Sequence, residues 1–158
     1  MMRAVLARAA FGCAAGAVAT YIMDIATGML YTEDIKRRES EIQSESATAV
    51  LARRLLDSLE LHPTDADVNK LAPLLHWSLG IKSGGVAGVL AGRSSLASGL
   101  AVAGAMFAFD NVGLPALKAA PPTSRYPWQT TLRSFIGHAT YAFTFALAYE
   151  GLRALADS

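Results

Sequence analysis

Four apolar stretches, at about 9–31, 72–92, 95–117 and 132–152, make up most of the chain, and each carries an acid or a histidine: Asp24, His76, Asp110 and His138. Each stretch is close to the ~20 residues that a helix needs to cross the hydrocarbon core of a bilayer. An ionised group facing lipid at mid-bilayer costs at least ~2.5–3.5 kcal/mol, so such groups are expected to turn toward other helices or a wet cavity. The pattern therefore predicts an all-α fold, a polytopic membrane protein with a four-transmembrane-helix bundle. It also predicts that any functional site lies where these polar groups meet.

Charge is distributed to match. Residues 32–70 hold 15 of the 27 charged side chains, and the other 119 residues hold 12. Hydrophobic residues are 53% and charged residues 17% of the composition, above and below the usual values for soluble domains. At 158 residues the whole of 1–158 reads as a single membrane domain. A net charge of +1 offers no global field for nucleic acid, so none is expected as a partner. Cys13 stands alone, which excludes an internal disulfide and reads as a small buried thiol. The first apolar run continues to Tyr31, longer than the ~7–15 residues of a signal-peptide core, and reads as a retained span.

Small residues recur at every fourth position. The series are Gly12, Gly16, Thr20, Asp24 and Gly28; His76, Gly80, Gly84, Gly88 and Gly92; and Ser134, His138, Ala142, Ala146 and Glu150. Each series forms one drifting stripe on a helix, where small side chains let backbones approach closely. Counted from the span ends nearest residues 32–70, Asp24 lies seven residues in, His76 four, Asp110 seven and His138 six. At ~1.5 Å per residue the four share one layer ~6–11 Å below one surface. The order Asp, His, Asp, His also suggests a doubled hairpin.

The third span is expected to break beside this layer. In Asp110-Asn111-Val112-Gly113-Leu114-Pro115 the proline cannot donate to the Asn111 carbonyl, and freed carbonyls at membrane depth line cavities or are bonded by neighbours. Asp110 and Asn111 thus join the histidines as candidates. Lys82, placed mid-span, is expected to pair with Asp24 or Glu150, or to snorkel to an edge. Glu150 lies toward the opposite face. The layer admits several chemistries: proton or ion movement, continuing to Lys82 and Glu150; binding of a small ligand; a metal on His76, His138, Asp24 and Asp110; or haem between the two histidines. The alternative is structural, with Asp24–His76 and Asp110–His138 as hydrogen-bonded pairs that set helix register. No motif identifies a cofactor, and no nucleophile elbow, phosphate loop or dinucleotide fingerprint points to an enzyme.

Within 32–70, Thr32 followed by Glu33 and Asp34 reads as a helix cap, with the first helix continuing past the membrane. Leu51, Ala52, Leu55, Leu56 and Leu59 share a face opposite Arg53, Arg54, Asp57 and Glu60. This predicts an amphipathic helix, ended by His62-Pro63, that either lies on the membrane surface or caps the bundle or binds a partner. Glu39, Glu41 and Glu45 read as a solvated face. In the linker Lys118–Trp128, three prolines predict a non-helical turn with Tyr126 and Trp128 at headgroup level. Lysine and arginine near the span ends total nine on the side of 32–70, with Lys118, Arg125 and Arg133 included, against four (Arg3, Arg8, Arg93 and Arg153) on the other. That places loop 32–70 in the cytoplasm.

Four further patterns, Gly12-xxx-Gly16-xx-Ala19-Thr20-xx-Met23, Pro73-xx-His76 with Gly80, Asn111 with Pro115, and His138-xx-Tyr141, together resemble the YagU-like family of uncharacterised bacterial inner-membrane proteins. The resemblance implies a multi-pass protein of the bacterial inner membrane and adds no chemistry. The expected function is an inner-membrane protein whose Asp/His layer supports proton, ion or small-ligand handling. The alternatives are a structural or assembly subunit, or homo-oligomer, packing through glycine ladders, and, third, a metal- or haem-binding redox protein.

Overall fold

The computed structural model describes residues 2–92 and 94–156, and Arg93 lies outside them. Among these residues the chain is all-helical: α1 Met2–Met29, α2 Glu33–Ile42, α3 Ala47–Ser58, α4 Asp65–Leu90, α5 Ser95–Ala108, a π-helical turn Phe109–Gly113, α6 Leu114–Ala116, a 3-10 turn Thr123–Arg125, and α7 Trp128–Ala156. The long helices run up, down, up and down. α1 packs against α4 and α7, α5 packs against α7 and α4, and the short helices gather at one end.

Local chemistry sets the helix ends. Thr32, Ser46, Thr64 and Ser94 each accept a backbone N–H from the first turn that follows, and Thr64 and Asp67 form a reciprocal capping box. α3 and α6 close in Schellman turns. Leu61 N–H bonds to Leu56 O and Ala119 N–H to Leu114 O, with Glu60 and Lys118 in the left-handed position at φ 59° and 54°. Thr32 does cap a helix, but α1 has already ended at Met29, so α2 is a separate element. α3 stops four residues before its predicted end, at Ser58.

The four-transmembrane-helix bundle expected from the sequence is corrected here. Two helices are long and apolar enough to cross a membrane: Met2–Met29, with mean hydropathy 1.5, and Ser95–Ala116, with 1.3. α4 and α7 have the length, at 26 and 29 residues, but not the apolar density. α4 carries Asp65, Asp67, Lys70, His76, Lys82 and four glycines; α7 carries Arg133, His138, Glu150, Arg153 and several hydroxyls. Length and spacing alone had suggested spans there, whereas glycines and hydroxyls add almost no transfer free energy. The two qualifying helices are not ordinary core helices, since only 28% and 22% of their most apolar windows are buried. Large apolar side chains are exposed along both, among them Val18, Ile22, Ile25, Leu96 and Leu100.

The bundle is held by the glycine stripes. α1 and α4 are antiparallel and their stripes interlock rung by rung, with Gly12 at Gly88, Gly16 at Gly84, Thr20 at Gly80 and Asp24 at His76. A Cβ on Gly16 would lie 2.9 Å from Gly80 O and 2.9 Å from Gly84 Cα, so only glycine permits this approach. α7 closes the third side with an aromatic stack of Tyr141, Phe145 and Tyr149, all fully buried. The Tyr141 hydroxyl donates to Gly80 O at 2.7 Å and the Tyr149 hydroxyl to Gly88 O at 3.1 Å. The ladders therefore act within the molecule. Only Gly28, Gly104 and Gly151 would place a Cβ in open space.

Candidate functional site

At the end of the bundle beneath α2 and the 118–128 turn lies a cleft of about 670 Å³, and Asp24, His76, Asp110, Asn111 and His138 all line it. These residues come from α1, α4, the π turn and α7, so one site gathers the four residues that the sequence placed at one depth together with Asn111. Lys82 and Glu150 are elsewhere. Both are exposed, and among the described residues Lys82 forms no ion pair, so neither expected pairing occurs. They do not extend a polar chain through the bundle, because the fully buried Thr20 and the aromatic stack of α7 fill the space below the cleft.

Two Asp–His pairs occupy the floor. His76 Nε2–H donates to Asp24 Oδ1 at 2.9 Å, with both side chains about a third exposed. His138 is held differently. Its Nδ1 lies 2.8 Å from the Ser134 carbonyl oxygen, which can only accept, so Nδ1 carries a proton. Nε2 then faces Asp110 Oδ2 at 3.6 Å. Asp110 lies within electrostatic reach of His76 as well as His138, which links the two pairs. The edge of the His138 ring packs on Phe107.

The π turn brings Asp110 here. The helix does not break at Gly113-Leu114-Pro115 as expected; it widens, and Leu114 N–H bonds back to Phe109 O. One extra residue per turn shifts the helical face, as π-bulges commonly do at functional sites. The carbonyl that Pro115 leaves free on Asn111 accepts the Thr123 hydroxyl at 3.3 Å, and the Asn111 amide donates to Phe107 O at 2.7 Å. A Cβ at Gly113 would meet the Phe109 ring, which packs over this glycine.

The roof of the cleft was not legible in the sequence. Glu39, read as solvated, is only 14% exposed; it accepts from Arg133 at 3.0 and 3.1 Å and from the Thr130 hydroxyl at 2.7 Å. The Arg133 guanidinium stacks 3.9 Å from the centre of the Tyr31 ring. Burial, and then the Glu39 carboxylate beside it, push the Tyr31 phenol above its usual range, so it remains a neutral donor. Gln43 donates to Ala119 O at 3.0 Å and accepts from the Tyr126 hydroxyl at 2.9 Å, which ties the 118–128 turn to α2. Glu45 is also engaged, by Arg53, while Glu41 is exposed as expected. α3 packs on α4 through Ala49, Ala52, Val68 and Ala72 and leaves Leu55 and Leu59 largely exposed, so its small residues face inward in place of its leucines. No local signal marks Glu39 or Arg133, because they are 94 residues apart and meet only when α2 folds across α7.

Among the described residues no three His, Cys, Asp or Glu side chains group closely enough to hold a metal. The candidate ligands are arranged two and two, so the residues present do not fit the expected metal set. No family model, curated protein or solved structure matches the chain, so the YagU-like resemblance rests on its four sequence patterns alone.

Proposed function

We propose that the chain is a membrane protein, anchored through α1 and the α5–α6 helix, whose cleft binds small cations at a protonatable Asp/His floor. Charge bookkeeping in the cleft carries this reading. Arg133 is matched by Glu39, Lys36 by Glu33, and Arg53 by Glu45 and Asp65. Among the described residues the only charge partners of Asp24 and Asp110 are histidines, with the Ser134 hydroxyl a further donor to Asp110. The floor is therefore the one part of the cleft where a carboxylate lacks a permanent cation, and a bound cation or proton supplies it. The surplus of lysine and arginine around this end supports a cytoplasmic opening, and the YagU-like resemblance supports the bacterial inner membrane.

Conduction across the bundle has less support, since among the described residues the fully buried Ala15, Ala19, Phe145 and Ala87 pack the bundle interior below the cleft. The assembly-subunit reading loses its original basis because the ladders face inward. The test is ligand-dependent melting of the detergent-purified protein. A cation at a hundredfold its Kd stabilises the fold by ~2.7 kcal/mol. For a chain of this size that raises Tm by roughly 5–11 °C. Ammonium salts are expected to give this rise and sodium acetate to give less, with the effect lost when Asp24→Asn and Asp110→Asn are combined. Equal stabilisation of wild type and double variant by every salt would overturn the proposal.

A further inference from the structure

Resting on that reading, we infer that the cleft takes up a primary organic ammonium in exchange for one proton shared by Asp110 and His138. The first premise is the locked tautomer. His138 Nδ1–H is committed to the Ser134 carbonyl, so a neutral His138 would aim the bare lone pair of Nε2 at a carboxylate oxygen 3.6 Å away. Two lone pairs so placed repel. The arrangement is attractive only when one proton lies between them, as imidazolium facing carboxylate or as imidazole facing carboxylic acid. His76 needs no such proton, because its Nε2–H already donates to Asp24.

The second premise is the surroundings of this pair. On α4 it faces His76, on α1 Asp24, and on α7 Ser134; on α2 Glu39 is already engaged by Arg133. Among the described residues no unmatched permanent cation, only the Ser134 hydroxyl and His76, is left to hold Asp110 ionised once the shared proton departs. A ligand that removes the proton must therefore bring a positive charge of its own.

The third premise is shape and donor type. About 670 Å³ is far more than a bare ion fills and falls within the range of organic-ligand pockets. Among the described residues no three His, Cys, Asp or Glu side chains gather as a metal would need. A primary ammonium has N–H donors for the two acceptors that face each other across 3.6 Å, Asp110 Oδ2 and the freed Nε2 of His138, and a further N–H for the cleft that Asn111 also lines. The exchange balances. A neutral pair plus one ammonium gives a carboxylate, a neutral imidazole and a bound ammonium, and releases one proton to solvent.

The experiment is calorimetric titration of the full chain in detergent with n-butylammonium, in two buffers of different ionisation enthalpy, with tetramethylammonium and sodium as comparators. The expected result is one proton released per butylammonium bound, weaker binding of tetramethylammonium, which has no N–H, and an apparent affinity that falls about tenfold per unit of falling pH while the empty site holds its proton. Asp110→Asn and His138→Gln are expected to bring proton release close to zero. Binding of butylammonium with no proton release overturns the exchange and leaves the cation site standing, as does full release retained in Asp110→Asn. Failure of every cation to bind wild type overturns the cation site itself. The proton count on wild type does not depend on how the variants fold.

Discussion

Gly84→Ala tests the interlocked backbone contact on which the site depends. A Cβ at residue 84 would lie 2.5 Å from Gly16 Cα and 2.9 Å from Gly16 N, and closer still to Gly12 O. Carbon atoms in contact rest ~3.5–4.0 Å apart, so α1 must retreat by roughly 1 Å. The obstacle is backbone on a 28-residue helix, which cannot rotate aside as a side chain can. Overpacking of this kind costs ~1–3 kcal/mol, and the rigid obstacle puts this case at the upper end. Alanine's better helix propensity returns ~1 kcal/mol, leaving a net loss of ~2 kcal/mol. At ~2–4 °C per kcal/mol, Tm should fall by roughly 4–8 °C. Gly104→Ala is the control: its Cβ meets nothing, so the same propensity gain should leave Tm unchanged or raised. Thermal melts of both variants by circular dichroism in one detergent decide the matter. If Gly84→Ala melts at or above wild type alongside Gly104→Ala, the α1–α4 register described here is wrong, and with it the Asp24–His76 contact two rungs along the same stripe.

Other outcomes follow from single contacts. Tyr141→Phe removes a 2.7 Å hydrogen bond to Gly80 O, a carbonyl within the helical ladder, and should cost ~0.5–1.5 kcal/mol, whereas Phe145→Ala empties a fully buried site and should cost ~3–5 kcal/mol; chemical denaturation compares the two. Arg133→Ala leaves Glu39 without its guanidinium under the roof, so limited proteolysis should cut residues 31–47 faster than in wild type, with Arg38→Ala, on the exposed side of α2, as the neutral comparison. The Thr64 hydroxyl and then its backbone N–H hold the Asp67 carboxyl below its usual range, so this cap is complete above the unfolded carboxylate's pKa and weakens as pH falls through the lower, folded value. Protection factors across 65–70, corrected for the pH dependence of intrinsic exchange, should fall on that descent in wild type and stay level in Asp67→Asn.

Much of the polar cleft was legible before any coordinates. The positions of Asp24, His76, Asp110 and His138 within their apolar runs put them at one depth, and depth depends only on rise per residue. The four-residue stripes likewise announced close packing, and Thr32 announced a helix start. Run length misleads at α4 and α7, which are long enough to span but whose glycines, hydroxyls and charged residues dilute the apolar surface. Of the two expectations for Lys82 the pairing fails, because α4 turns its side chain to the exposed side.

The sequence by itself determined which residues lie on which stripe, because the helical period is a local property of the backbone. Tertiary structure decided which stripe meets which. That Asp24 opposes His76, that the π turn carries Asp110 to a histidine whose other nitrogen is already bonded, and that Glu39 crosses to Arg133 follow from the summed contacts of whole helices. No single residue encodes such a sum. The repulsion between Nε2 and Asp110 that calls for a shared proton exists only once the Ser134 carbonyl has taken the proton on Nδ1.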